Sequence, residues 1–447
     1  MKKAHAINEV YNAIEGGRPL TIEEMDAFYC NTDAVRNDLP ARKQLAKIIK
    51  RNAIAGRNGH ILFVGARGSG KSTELNHLQK DLKEEFAILN YSVMRELDPQ
   101  SISYIELFIV TMEKLFSYAI EQQLKIADDF INRVTGWTKT KEVEEIKDKH
   151  LSAEASAGIN TKIGIPFLQE FFFKLKGAAK ASKSFKETLK DTIEPRLSDL
   201  IEYCNELISE IRIKIQANGF QDLLIIIEDL DKIPLARAKT LFFDYANQIV
   251  QLQATVIYTF PVTLYYNTNF IATRNYFSDI IELPMVKVFH KNGQAYDNGI
   301  DTLRCIVLAR MDKNLFSEEA ILTDMIKKTG GVIRDLFSMI NDAADAADSR
   351  EKEFIDRDDY KYAYNQIKKE YSNTVADYSE EGKVKYTAGQ YYEVLANLAK
   401  NADKKPDNTE MLMQLRQNLC VLSYNGEGWA DVNPIMKDIL HERGYLN

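Results

Sequence analysis

The chain opens with alternating blocks of apolar and polar residues whose period changes along its length. "ARKQLAKIIKRNAIAG" places Leu45, Ile48 and Ile49 at helical spacing. "HILFVG" (60–65) is a short continuous apolar run and predicts a buried strand. A glycine-rich turn follows, then "TELNHLQKDLKEE" as a helix and "FAILNYSV" as a second strand. Further strands are predicted at "LLIIIEDLD" (223–231), "ATVIYTFP" (254–261) and "DIIELP" (279–284). Strand, Gly-turn, helix and strand in succession predict an α/β fold with a parallel sheet.

Two long helices frame the middle of the chain. "SYIELFIVTMEKLFSYAI" carries Ile105, Phe108, Ile109, Met112, Phe116 and Ile120 at helical spacing, with Glu106, Glu113 and Lys114 among them. It therefore reads as an amphipathic core-facing helix rather than a membrane span, and no other apolar run approaches the ~20 residues a span needs. The second helix starts at Leu197, with Leu200, Ile201, Cys204, Leu207, Ile208, Ile211 and Ile215 on one face, and stops at Asn218-Gly219. Between them, about 124–195, the rhythm breaks. A charged stretch, a small-polar stretch, the aromatic "FLQEFFF" and a lysine-rich run follow one another. This reads as an insertion in the α/β domain, expected to be a helical elaboration packed on the core, with a partner-binding or sensor element as the alternative.

After Pro284 the pattern is helical, with stretches around Leu303, Ile306 and Val307, around Ile321, Leu322 and Met325, and in "TGGVIRDLFSMINDAADAA". The last 60 or so residues predict two helices, a strand, an Asn-Gly turn, a second strand and a closing helix. The expected division is 1–299 for the core with its insertion, 300–352 for a helical lid and 353–447 for a C-terminal domain.

Composition changes this picture little. Of 447 residues, 45% are hydrophobic and 28% charged, as in an ordinary globular protein. The net charge of -7 excludes a bulk polyanion binder, so nucleic-acid binding would need a local basic patch. Lys174, Lys176, Lys180, Lys183 and Lys186 in the insertion are one candidate patch. In the tail after Tyr386, Lys400, Lys404, Lys405, Arg416, Lys437 and Arg443 face Glu393, Asp403, Asp407, Glu410, Glu427, Asp431, Asp438 and Glu442, which disfavours DNA there. Cys30, Cys204, Cys305 and Cys420 show no CxxC spacing; the expectation is no zinc site, no disulfide framework and a reducing cytoplasm. The N-terminus lacks the apolar core of a signal peptide.

The chemistry is concentrated in two places. Gly65, Ala66, Arg67, Gly68, Ser69, Gly70, Lys71 and Ser72 fit GxxxxGK[ST], and Thr73 follows. Glycines let backbone N–H groups converge on phosphates, and a helix starting there adds its positive dipole end. Lys71 can reach the β- and γ-phosphates, and the Ser72 hydroxyl can sit on Mg²⁺. ATP and Mg²⁺ are the implied cofactors. The second place is the end of "LLIIIEDLD", where Glu228, Asp229 and Asp231 crowd the carboxyl end of a strand. Such a P-loop needs one carboxylate for the metal and a second for the attacking water. Strand alternation puts Asp229 and Asp231 on one side and Glu228 on the other.

These motifs resemble those of bacterial AAA+ and STAND-type P-loop ATPases, nearest the origin-recognition-like branch. "GARGSGKSTEL" resembles the branch's P-loop, "IIIEDLDKI" its Walker B, "VIYTFP" its sensor 1 strand, "TGGVIRDLFSMI" its sensor 2 helix and "VLSYNGEGWADVNPIM" the wing of its C-terminal winged helix. The resemblance covers about 25–123, 196–350 and the tail. It implies a P-loop NTPase (AAA+-like) parallel-sheet core, a helical lid and a winged-helix domain. By its register Glu228 takes the metal with Ser72, where Asp is usual, and Asp229 is the catalytic base and second metal neighbour. A second register gives Asp229 to the metal with Asp231 nearby. Thr259 falls at the sensor 1 position and Arg334 at sensor 2. Their plain rivals are a strand threonine and a surface arginine paired with Asp335. Arg274 is a weak match for an arginine finger. The resemblance implies an ATP-binding, slowly hydrolysing cytoplasmic switch controlling self-association or an effector protein, in signalling or phage defence. The alternatives are a DNA-acting ATPase, in replication initiation or transposition, and a chain that holds nucleotide only as a structural ligand.

Overall fold

A computed structural model describes residues 1–15, 17–138, 164–380, 382–424 and 429–446. Its centre is a five-stranded sheet of β1 (His60–Gly65), β2 (Phe86–Ser92), β3 (Asp222–Glu228), β4 (Thr255–Pro261) and β5 (Asp279–Glu282). The spatial order is β2-β3-β4-β1-β5 and every pairing is parallel. The predicted α/β P-loop core with a parallel sheet is the observed one. A parallel sheet is covered on both faces, so its strands read as near-continuous apolar runs. In β3, Leu223, Ile225 and Ile227 enter the core on one face, and Leu224 and Ile226 enter a separate core on the other. In β1, Leu62 and Val64 part from Ile61 and Phe63 in the same way.

Helices α1 (Ala41–Ile54) and α2 (Lys71–Leu82) cover the smaller core, where Leu45 and Ile49 pack with Leu75 and Leu78. The other face is covered by α3 (Tyr104–Glu121) and, further along, by α7 (Leu197–Ala217). The amphipathic reading of α3 holds through Phe116, whereas Ile120 in its last turn is 39% exposed. Among the described residues no helix is long and apolar enough to cross a membrane.

The described part of the insertion forms α4 (Asp128–Thr138), α5 (Ile165–Ala181) and α6 (Lys183–Ile193). The aromatic run is the packing face of α5. Phe172 stacks on Phe116 of α3 and on Trp137 of α4, with ring centroids 5.9 and 6.3 Å apart. The charged and small-polar stretches over 139–163 lie outside the described residues. Most of the lysine run, the candidate basic patch, is engaged within the fold. Lys174 pairs with Glu170, Lys176 with Glu96 and Glu113, and Lys186 with Glu106 and Asp98, while Lys180 donates to the Arg95 carbonyl. The Lys183 side chain is outside the described set. Lys176 and Lys186 thus neutralise acids of the α/β core, which spacing along one helix could not reveal.

After β5 come α8 (Asp297–Leu308), α9 (Glu319–Thr329) and α10 (Ile333–Asp348), over the stretch expected as a lid, and then α11 (Arg357–Thr374). The N-terminal segment packs Ala4, Ile7, Val10 and Ile14 into the same core. Cys30 and Cys305, expected to be free thiols, are joined as a disulfide between that segment and α8. They lie 275 residues apart, so only the fold could bring them together. Cys204 and Cys420 are buried thiols.

Beyond α11 come a hairpin, β6 (Tyr378–Glu380) with β7 (Lys383–Tyr386), then α12 (Ala388–Lys400) and α13 (Glu410–Gln417). A second antiparallel hairpin, β8 (Val421–Tyr424) with β9 (Trp429–Val432), leads to the closing α14 (Pro434–Glu442). The predicted helix, helix, hairpin and helix are all present, and the turn at 425–428 is outside the described residues. The β8–β9 hairpin faces inward. Tyr424 and Trp429 stack with centroids 4.6 Å apart and pack with Met285, Leu422 and Val332 beside Ala66 of the glycine-rich turn.

Candidate functional site

The glycine-rich turn joins the end of β1 to the start of α2, the context the motif requires. Gly68 and Gly70 have φ of 76° and 96°, a region that side chains strongly disfavour. A Cβ on Gly68 would also come within 3.1 Å of Cβ of Arg334, so the turn and the lid approach each other without slack there. Lys71 is folded back on its own loop. Its Nζ donates to the carbonyls of Gly65 and Ala66 at 2.8 and 2.9 Å and sits 2.9 Å from Oδ2 of Asp231. Burial pulls the Lys71 ammonium below its ordinary value, against Asp231. Burial works to raise the Asp231 carboxyl, but Lys71 overrides it and the group stays lowered.

The three acids of the strand end separate. Glu228 is the last residue of β3. Its carboxylate accepts from Asn90 of β2 at 2.9 Å and meets the Ser72 side chain, and burial raises its pKa. Asp229 then breaks the strand with φ of 68°, so alternation ends one residue before the sequence pattern implies. Its carboxylate accepts from the Ser92 hydroxyl and pairs with Lys232 at 2.6 Å. Asp231 turns back to Lys71. Glu228 and Ser72 are thus brought together, Asp231 joins Lys71, and Asp229 is held at the edge by Ser92 and Lys232.

A hard cation fits Ser72 and Glu228. Mg²⁺ keeps several waters and is bound through one or two carboxylates plus substrate phosphates, not by a full protein cage. Accordingly, no group of three His, Cys, Asp or Glu suited to a metal occurs among the described residues. A cation there would also keep the buried Glu228 ionised.

Thr259 is in β4 and faces the backbone of the acidic strand end. Its hydroxyl accepts from the Leu230 N–H at 3.0 Å, and it is 1% exposed. Arg334, in the first turn of α10, lines the cleft with Gly68, Gly70, Lys71, Ser72 and Thr73. It does not pair with Asp335, which turns the other way and accepts from the Tyr371 hydroxyl at 2.5 Å. Arg67 also lines the cleft and donates to the Lys232 carbonyl. Arg274 is exposed on a short turn outside the cleft.

Several residues of the site carried no motif. Arg36 is buried and donates to the carbonyls of Ser69 and Pro284 and to the Thr32 hydroxyl, so it ties the turn to the N-terminal segment. Beyond the turn the cleft has an apolar part lined by Leu20, Phe28, Tyr29, Ile306 and Phe337, among the charged Glu15, Arg18 and Arg310, while Ile333 lies against Gly70. Arg310 stacks over Phe337 at 5.3 Å and donates to the Phe28 carbonyl. Burial lowers its pKa to about 10. The Cys30–Cys305 disulfide closes this end. The sequence signals here were the helical spacing that picked out Ile306 and the "TGGVIRDLFSMI" stretch that holds Ile333 and Phe337.

Comparison with known proteins agrees on the core. Mouse origin recognition complex subunit 4 is 52% identical over 42 residues, 9% of this chain and 10% of that protein. The rat protein is 50% identical over 42 residues. The chain thus spans about a tenth of the length of the curated relatives it matches. Among solved structures, the Thermotoga maritima RuvB Holliday junction branch migration motor is similar at a TM-score of 0.36 and 10% identity, covering 96% of this chain and 99% of that one. The Aeropyrum pernix ORC1 protein in complex with DNA is similar at 0.41 and 10%, covering 98% and 97%. The Walker-type ATPase paby2304 of Pyrococcus abyssi is similar at 0.39 and 12%, covering 91% and 97%. Residues 40–285, more than half of the chain, match the KAP family P-loop domain, and with the P-loop at Gly65–Ser72 and the acidic end of β3 inside that stretch, the chain belongs to the KAP family of P-loop NTPases.

Proposed function

We propose that the chain is a Mg²⁺-dependent ATPase of slow turnover whose nucleotide state controls self-association or the binding of an effector protein. The observation that carries this reading is the meeting of Lys71, Ser72 and Arg334 around one cleft, with Glu228 held against the Ser72 side chain. Lys71 and the turn's N–H groups hold the β- and γ-phosphates, and the apolar end takes the base. Ser72 and Glu228 hold Mg²⁺, which supplies charge neutralisation on the β- and γ-oxygens when bound. Asp229 orients and deprotonates the attacking water. It is held by Ser92 and Lys232 and must leave them first, which is the physical reason for slow turnover. Arg334 reads the phosphates from the lid, since a guanidinium stays charged and binds them through two N–H groups.

We read the C-terminal unit of α12, α13, the β8–β9 hairpin and α14 as a winged helix. In the DNA-acting alternative it would dock on duplex DNA, but its hairpin packs on the core, and Lys176 and Lys186 of the insertion are neutralised within the fold. Charge therefore favours the switch. ATP turnover by the purified chain, with and without duplex DNA and at two protein concentrations, tests this. The expected result is slow turnover indifferent to DNA, with a rate per subunit that rises with concentration. Strong stimulation by DNA would select the DNA-acting reading, and no binding of ATP would remove both.

A further inference from the structure

The C-terminal unit touches the core at a second place beside the P-loop. Arg416 of α13 is 3% exposed, so its guanidinium is desolvated within the fold. Its centre lies 3.8 Å from the centroid of the Tyr266 ring, beyond the end of β4. One Nη donates to Asn408 at 3.1 Å, while Nε is buried with no hydrogen-bond partner. Glu282 of β5 is near enough to act on it electrostatically, yet that carboxyl is raised by burial and accepts from the Tyr266 hydroxyl. No carboxylate forms an ion pair with Arg416 among the described residues. A buried cation held this way is unusual, because desolvation costs several kcal/mol unless a counter-charge offsets it.

The counter-charge is next door. Arg416 and Gln417 line a cavity of about 20 Å³ together with Gly65, Arg67, Thr263 and Asp231. That is room for about one water molecule. Asp231 holds Lys71, is acted on by Lys232 as well, and lines the same cavity as Arg416 and Arg67. A triphosphate in the P-loop needs Lys71 for itself. Asp231 would then be a buried carboxylate without its cation, the costly half of a broken pair. Lys232 cannot replace Lys71 without leaving Asp229. Arg416 lines the same cavity and is already desolvated, so pairing with it buries no new charge.

Resting on the ATPase reading above, we infer that Arg416 is a positioning residue of the nucleotide site supplied by the C-terminal unit. It takes over Asp231 when a triphosphate claims Lys71, so filling the cradle tightens the docking of α13 and the β8–β9 hairpin on the core. The relay is Lys71, Asp231, Arg416, and the docked surface it controls is the one where Met285 bonds to Ser423 and Tyr424 donates to the Gly330 carbonyl.

The test is amide hydrogen exchange of the full chain, with and without a non-hydrolysable ATP analogue and Mg²⁺, alongside titration of the analogue. In the wild type, the amides of Val421–Tyr424 and of α13 should exchange more slowly when the analogue is bound. Arg416→Gln should lose that protection and bind the analogue about tenfold more weakly, the effect of one charged hydrogen-bond partner. Asp231→Asn should lose the protection too, and the double variant should be no worse than the singles. Arg416→Met fills the same slot and serves if the glutamine variant does not fold. Unchanged exchange in the wild type at saturating analogue overturns the relay, and so does full protection in a folded Arg416 variant. A wild type that binds no analogue removes the ATPase reading and the relay with it. Binding that is lost in Lys71→Ala but indifferent to Arg416 removes the relay alone.

Discussion

The two ends of the cleft are built in opposite ways. The phosphate end is local: eight consecutive residues, Gly65 to Ser72, and one strand terminus, Glu228 to Asp231, supply the cradle and its acids. The apolar end is assembled from afar: Leu20, Phe28 and Tyr29 come from the N-terminal segment, Ile306 and Phe337 from the lid, and a disulfide between residues 275 apart joins the two sides. Phosphate recognition needs backbone N–H groups at fixed spacing, which only a continuous turn can present. Enclosing an apolar group needs only surface of the right shape, which any elements can contribute. The first requirement leaves a motif and the second does not.

The comparison breaks most sharply at the phosphate end. Lys71→Ala should weaken ATP binding by about a hundredfold or more, since two charged hydrogen bonds are lost, measured by titration with a fluorescent ATP analogue. Unchanged affinity would show that the cradle does not hold the nucleotide. Asp229→Asn should leave binding within about threefold and lower turnover by about 10²–10⁴, the usual contribution of a general base. Glu228→Gln should instead weaken the Mg²⁺ dependence of binding. If Glu228→Gln abolishes turnover while Asp229→Asn does not, the two carboxylates exchange roles.

The same contrast explains what the sequence made legible. The five strands, the P-loop and the acidic strand end follow from continuous apolar runs and a fixed motif. The division of labour among the three acids did not follow. It depends on the backbone of Asp229 turning to positive φ, which ends the alternation and sends Asp231 to Lys71. The inward pairing of Lys176 and Lys186 was hidden for a related reason. Their partners Glu96, Glu113 and Glu106 lie in the region before the insertion, and a lysine-rich helix face looks the same whether it meets water or acid. Arg36 and Arg416 had no signal, because a lone arginine carries none until its surroundings are folded around it.

A smaller effect separates the lid from the cradle. Asp335 is raised from 3.8 to about 6 by burial, although the Tyr371 hydroxyl and Arg334 act to lower it; Glu370 acts in the same direction as burial. The folded chain therefore binds this proton more tightly than the unfolded chain. Its contribution to stability is fully present below about pH 4 and is lost as pH rises through about 6, on the order of 2–3 kcal/mol. Asparagine at this position mimics the protonated acid. Asp335→Asn should flatten the stability profile between pH 4 and 6, measured by urea unfolding at each pH. A variant profile parallel to that of the wild type would mean that another group titrates there.

The mildest change should be the most specific. Arg334 joins the two ends, because its Cβ approaches Gly68 in the turn while Phe337, one turn on, lines the apolar end. No ion pair holds its guanidinium among the described residues, so its charge is available to the phosphates. Arg334→Ala should weaken ATP binding by about tenfold, one charged contact, and should not alter folding, since the side chain is only half-buried. The larger consequence is the loss of coupling: the lid would no longer report which phosphates are present. Sedimentation velocity with ATP and with ADP should show a nucleotide-dependent difference in assembly for the wild type and none for Arg334→Ala. Arg334→Lys should restore part of the affinity and little of the difference, because an ammonium lacks the two-pronged geometry. Equal ATP-dependent sedimentation of Arg334→Ala and wild type would confine nucleotide recognition to the local cradle and leave the lid as a cover.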